Sequence, residues 1–310
     1  MSTSTKFAGF ALGLAALFGI ALGVGALAGS PESEPETHDT AAPETGAPGG
    51  PGGLTDSAGG YTLVLDEPIT RAAPTATLRF RITDSAGRPV TRYTPNHEKD
   101  LHLIVVRRDL SGYQHLHPAL GADGTWSSPV NLGRGGDYRV FADFVTADGN
   151  PFTLGTDLRV AGEYAPRALP GPAATATVGD YRVELGGTLA AGSSTDLAFT
   201  VSRDGKPVTD LEPYLGAYGH LVALRAADLG YLHVHPAGHP GDGTTPAGPG
   251  VTFAVAAPGA GDYRLFFEFR HAGRVHRAEF TAAVDTAAPG RPAPSSPQPA
   301  PEHTDNGHGH

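Results

Sequence analysis

Residues 102–118 read HLIVVRRDLSGYQHLHP, and residues 220–236 read HLVALRAADLGYLHVHP. The two stretches share their length, their H-x12-H-x-H spacing and their closing proline at an offset of 118. The match extends outward on both sides. Tyr61-Thr-Leu-Val-Leu65 aligns with Tyr181-Arg-Val-Glu-Leu185, and Leu78-Arg-Phe80 with Leu197-Ala-Phe199. Gly87-Arg-Pro-Val90 aligns with Gly205-Lys-Pro-Val208, and Gly136-Asp-Tyr-Arg139 with Gly261-Asp-Tyr-Arg264. Constant order at near-constant spacing marks an internal duplication. Within each copy the apolar residues alternate, as in Tyr61/Leu63/Leu65, Leu78/Phe80/Ile82 and Tyr138/Val140/Ala142/Phe144. Turn clusters such as Asp84-Ser-Ala-Gly87 and Asp148-Gly-Asn-Pro151 separate the runs. No helical stripe persists beyond residues 7–28. The sequence therefore predicts an all-β body of two tandem immunoglobulin-like or cupredoxin-like β-sandwiches, residues 61–162 and 179–284, with 163–178 as a semi-stiff linker.

The ends of the 310-residue chain read differently. Residues 7–28 are uncharged and long enough to cross the roughly 30 Å hydrocarbon core, so 1–28 is predicted as a transmembrane anchor or signal segment. Lys6 before this run and Glu32, Glu34 and Glu36 after it orient the body outside the cytoplasm. A single-pass cell-membrane protein is expected, with secretion after cleavage near Ala28 as the alternative. Residues 29–60 are expected as a disordered, acidic Pro/Gly spacer and 285–310 as a disordered Pro/His-rich tail. The net charge of −10 is concentrated in those two segments, which leaves no basic footprint for nucleic acid. There is no cysteine, and Met1 is the only methionine, so disulfides, thiolate sites and thioether ligands are excluded.

Ten of the fourteen histidines lie in the repeats, and six occupy matched positions. These are His102, His115 and His117, with His220, His233 and His235 as counterparts. Leu101–Val106 and Tyr113–His117 read as a hairpin, in which His115 and His117 share a face. If the register sets His102 opposite His117, three imidazoles converge; a one-residue slip dissolves the group. A triad in each repeat would suit one divalent metal, copper(II) or zinc, since blue-copper and Cu(I) sites need sulfur ligands. A second matched feature is an acid within an aromatic strand, Asp143 in Phe141–Phe144 and Glu268 in Phe266–Phe269. It is a further candidate ligand, the alternative being an outward-facing residue or an ion pair with Arg139 or Arg264. His97, His239, His271 and His276 lack matched partners and are read as surface or auxiliary groups.

The segments 102–118, RVFADF (139–144) and 212–236 resemble exported or membrane-anchored actinobacterial proteins of unassigned function, some loosely labelled secreted or heavy-metal-binding. The resemblance spans about residues 60–284 and implies a β-sandwich body and export; it assigns no ligands. No nucleophile elbow, phosphate loop or dinucleotide fingerprint appears, so a non-enzyme is expected. Two functions follow: a membrane-anchored divalent-metal protein serving a metal-handling or cell-surface partner, or a surface interaction module whose histidines are structural or pH-sensing.

Overall fold

A computed structural model describes residues 51–285 with the exception of His233. The anchor, most of the acidic spacer and the C-terminal tail lie outside the described residues. Among those described, no helix is long and apolar enough to cross a membrane. Every regular element is a β-strand, and the strands form four sheets, two per repeat.

In the first repeat, one sheet orders Ser57–Ala58, Tyr61–Leu65, Ala73–Thr83, Trp126–Leu132 and Ala119–Leu120. Its partner sheet orders Ile69–Arg71, Pro151–Ala161, Gly136–Thr146, Leu101–Arg107 and Gln114–Leu116. The alternating residues read from sequence fill the space between them: Leu63, Leu78, Phe80, Ile82, Tyr138 and Val140 are all buried. Trp126 stacks on Phe80 with ring centroids 6.4 Å apart. The second repeat copies this plan, with Phe199, Phe253, Phe267 and Phe280 as its aromatic centre.

Leu101–Arg107 departs from simple alternation, because all of its seven residues are buried. Leu101, Leu103 and Val105 enter the core of their own repeat, while Ile104 and Val106 enter a third cluster with Val222, Leu224 and Phe266 of the second repeat. A strand covered on both faces reads as an unbroken apolar run, which is what Leu103-Ile-Val-Val106 is. Two sheets thus meet face to face across a seam between the repeats. Matched residues sit on both sides of it, Ile104 with Val222, Val106 with Leu224 and Tyr113 with Tyr231, joined by Leu110 and Leu229 from the two connecting turns. Tyr113 stacks on Phe266 at 3.8 Å, and Tyr231 lies 5.6 Å from Phe141. The surface is self-complementary in the manner of a two-fold dimer interface, here within one chain.

Two expected boundaries need correction. Residues 51–60, assigned to the disordered spacer, are folded. Gly52 exchanges both backbone hydrogen bonds with Tyr231, Gly53 donates its N–H to Thr153 O at 2.8 Å, and the Arg139 guanidinium donates to Gly53 O. The segment is therefore stitched to both repeats. Glycine makes this approach feasible: Gly53 has φ +70°, and a Cβ there would run into the Phe141 ring. The linker is likewise docked. Arg107 and Arg134 both donate to Ala165 O, Arg167 N–H donates to Asp109, and Thr175–Val178 is already a strand of the second repeat.

Gly53→Val should lower the unfolding free energy by about 2 kcal/mol or more, from backbone strain plus the clash with Phe141. Gly87→Ala, at φ +75° with no atom near its added Cβ, should cost about 1 kcal/mol. Urea denaturation of the two variants checks the difference, which should vanish if the Gly53 segment does not bind the seam.

Candidate functional site

At one end of the seam the apolar residues give way to histidines. His102 continues the face of Ile104 and Val106 toward the start of its strand. The neighbouring hairpin strand pairs Leu103 with Leu116 and Ile104 with His115. Extending that register sets His102 beside His117, so all three rings share the seam face. Their ring centroids lie 5.2 Å apart for His102–His115, 5.2 Å for His102–His117 and 4.9 Å for His115–His117. One nitrogen from each falls within 4.8 Å of the others.

The hydrogen bonds specify the rings' orientation. His102 Nε2 lies 3.0 Å from Asn96 O, His102 Nδ1 lies 3.0 Å from His115 Nε2, and His115 Nδ1 lies 2.8 Å from Glu268 Oε2. A carbonyl only accepts, so His102 Nε2 donates and its Nδ1 accepts from His115. His115 Nδ1 then donates to the Glu268 carboxylate. The chain of bonds is anchored at both ends, by Asn96 O and by Glu268. His117 Nε2 is buried and has no hydrogen-bond partner among the described residues.

Two further imidazoles close the cluster. His220, from the second repeat, stacks on His115 at 4.8 Å and on His102 at 5.6 Å. His97, on the turn before Leu101, lies 5.7 Å from His220 and 6.1 Å from His102. Burial, and next the neighbouring His115, push His102 down to about 3 and His117 down to about 4. Burial followed by His115 and His102 holds His220 well below its ordinary value.

One expected triad per repeat is not what the strands build. His220 faces the first repeat's histidines, so His102, His115, His117 and His220 form one shared cluster. His235 lies in Val234–Pro236, which pairs with Gly250–Ala257 in the opposite sheet, and it is exposed. The reason is local: the strand leaves the seam sheet after Leu232, two aligned positions earlier than in the first repeat, where pairing runs to Leu116. His233 lies outside the described residues.

The acids also separate. Asp143 stands opposite His102, and Glu268 opposite His220, in their sheets. Glu268 is buried and grips the outer nitrogen of His115, while Asp143 accepts from Thr153 Oγ1 at 2.6 Å. Neither makes the suggested arginine pair, because Arg139 binds Asp157 and Arg264 binds Glu279. Asn96 and the Glu268 partner Tyr214 were not singled out from sequence, and His97, read there as a surface or auxiliary group, lies against the cluster; only the 118-residue offset could have drawn attention to their turns. The other unmatched histidines lie elsewhere: His271 bonds Tyr181 and Asp210, and His276 stacks on Tyr181.

A tandem β-sandwich with a histidine cluster in the seam between its repeats is thus the class of protein that fold and site define. The chain belongs to the family described as "Domain of unknown function (DUF8832)", whose model matches residues 56–162 and again residues 176–286. No curated protein gives a significant match. Solved structures with a similar outline include FdeC, an Escherichia coli adhesin, at 19% identity over 73% of this chain and 65% of that chain, with TM-score 0.25. Salmonella alpha-2-macroglobulin reacted with methylamine is 15% identical over 76% of this chain and 15% of that chain, TM-score 0.25. Yersinia pseudotuberculosis InvD is 14% identical over 78% and 62%, TM-score 0.24. This chain spans less than two thirds of each of those structures. At such TM-scores the likeness carries no functional argument.

The depressed imidazoles make stability depend on pH. Unfolded histidine takes up its proton near pH ~6.5, before the folded groups do. The cluster's contribution is therefore complete above about pH 6.5 and is lost as pH falls toward about 4. Thermal unfolding midpoints should drop across that window. His117→Gln should flatten the slope, and an unchanged slope would remove His117 from the buried set.

Proposed function

We propose that the seam cluster binds one divalent transition-metal ion, copper(II) or zinc(II), in an exported protein that hands metal to, or holds it for, a partner at the cell surface. The observation carrying this reading is the convergence of His102 Nδ1 and His115 Nε2 beside the His117 ring, whose Nε2 has no hydrogen-bond partner among the described residues. Both outer nitrogens are already held, by Asn96 O and by Glu268. Orienting contacts of that kind fix ring tautomer and direction at metal-bound histidines. An ion drawn between His102 and His115 would displace the single proton they share and leave the Asn96 and Glu268 bonds in place. Glu268 would then act through His115 rather than on the ion. An all-imidazole set suits both metals, and intrinsic affinity favours copper.

A second reading keeps the protein as a non-catalytic surface interaction module whose histidines are structural. It is favoured by the His115–Glu268 contact, which joins the two repeats through buried side chains without any ion.

Titration separates the two. The intact chain should take up about one equivalent of copper or zinc tightly, with release of about one proton per ion near pH 7. His115→Ala combined with His117→Ala should abolish that equivalent, leaving only weak tail binding. Equal uptake by parent and variant would refute the metal reading. Under the structural reading, Glu268→Ala should destabilise the protein by about 3 kcal/mol whether or not metal is added. Under the metal reading, saturating metal should recover part of that loss.

A further inference from the structure

The turn at residues 96–99 is a two-residue hairpin connection. Asn96 and Lys99 exchange backbone hydrogen bonds, and the two residues between them are left-handed, His97 at φ 47° and Glu98 at φ 65°. Two consecutive positive φ values call for Asn-Gly or similar, because a Cβ is disfavoured there. The second repeat shows the ordinary solution at the same place. Tyr214 and Ala217 exchange the equivalent bonds around Leu215 at φ 56° and Gly216 at φ 77°. Leu215 is buried apolar filling and Gly216 relieves the strain. The first repeat therefore puts an imidazole where its copy has a leucine, and keeps a strained residue where its copy has glycine.

That imidazole is aimed at the cluster. His97 is partly exposed, whereas His102 is 1% exposed and the His115 side chain 0%. His97 also lines, together with His220 and Leu215, a small cavity at the seam. Its ring lies within 6.1 Å of His102, but it is outside the trio whose nitrogens converge. The same turn supplies Asn96 O, which orients His102. Strain retained at one copy of a repeated turn, beside a histidine cluster, is the pattern of a functional constraint.

We infer that His97 is a capture ligand: it binds the incoming divalent ion at the rim and passes it to His102, His115 and His117. The inference rests on the metal reading above and adds a kinetic role to it. A group that lowers the barrier to transfer speeds uptake and release alike and leaves the equilibrium unaltered.

The test is stopped-flow uptake of Zn(II), and its release to a chelator, by the intact chain and by His97→Leu, the residue the second repeat tolerates at this turn. Uptake and release should both slow about tenfold, with the Kd unchanged within about twofold. Weaker Kd with faster release would make His97 a resident ligand and overturn the inference, and so would rates equal to those of the parent. A Glu98→Gly variant, which relaxes the turn and keeps His97, should retain the parent's rates; slowing there as well would assign the effect to turn geometry rather than the imidazole. If the parent itself binds no ion, the metal reading fails and this role fails with it, a result distinct from altered kinetics at a functioning site.

Discussion

Packing one sheet of each repeat against the other leaves several strands with no solvent-facing side. Leu101–Arg107 is buried throughout, and Tyr263–Phe269 of the facing repeat is buried at every position. Any polar group on those strands must find its partners inside the protein. Arg107 does so with Asp109, Gly135 O and Ala165 O, and Arg264 with Glu279 and Thr281. His102 and Glu268 do so through His115. The candidate site is thus one instance of a constraint that runs the length of the seam. Among the described residues His117 Nε2, like Arg107 Nε and Tyr113 Oη, is buried without a hydrogen-bond partner; His117 differs in being an imidazole set beside two others.

Among the described residues, a duplicated sequence has gathered histidines of both repeats into one cluster. The seam relates the repeats by approximate two-fold symmetry, which brings the equivalent His102 and His220 together at 5.6 Å and sets Tyr113 on Phe266 and Tyr231 against Phe141. Small departures then decide what each end becomes. The Gln114–Leu116 strand stays with its sheet long enough to present His115, while Tyr231–Leu232 ends sooner and Val234–Pro236 pairs in the other sheet. At the Tyr231 end, Pro51–Thr55 covers the seam through Gly52 and Gly53. At the other, Arg277 lies over Tyr113 at 5.1 Å. Near-identical motifs consequently face different neighbours.

Period-two alternation in Leu78/Phe80/Ile82 and Tyr138/Val140/Ala142/Phe144 was enough to establish the strands and their inward faces, because a sheet with one covered face imposes that period on its residues. The duplication was legible from the matched motifs alone. So was the pairing of His115 and His117 on one face, and the exclusion of sulfur ligands, since both follow from local geometry or composition. The register of His102 with its hairpin partner was open, because a slip of one residue is invisible in the sequence and reverses the face. Glu268 reaching His115 across 153 residues, His220 joining the other repeat's rings, and the folding of 51–60 against Phe141 were decided only by tertiary structure. Each depends on how two finished sandwiches dock, and that docking is set by shape and buried area over whole sheets, quantities that no short stretch of the chain encodes.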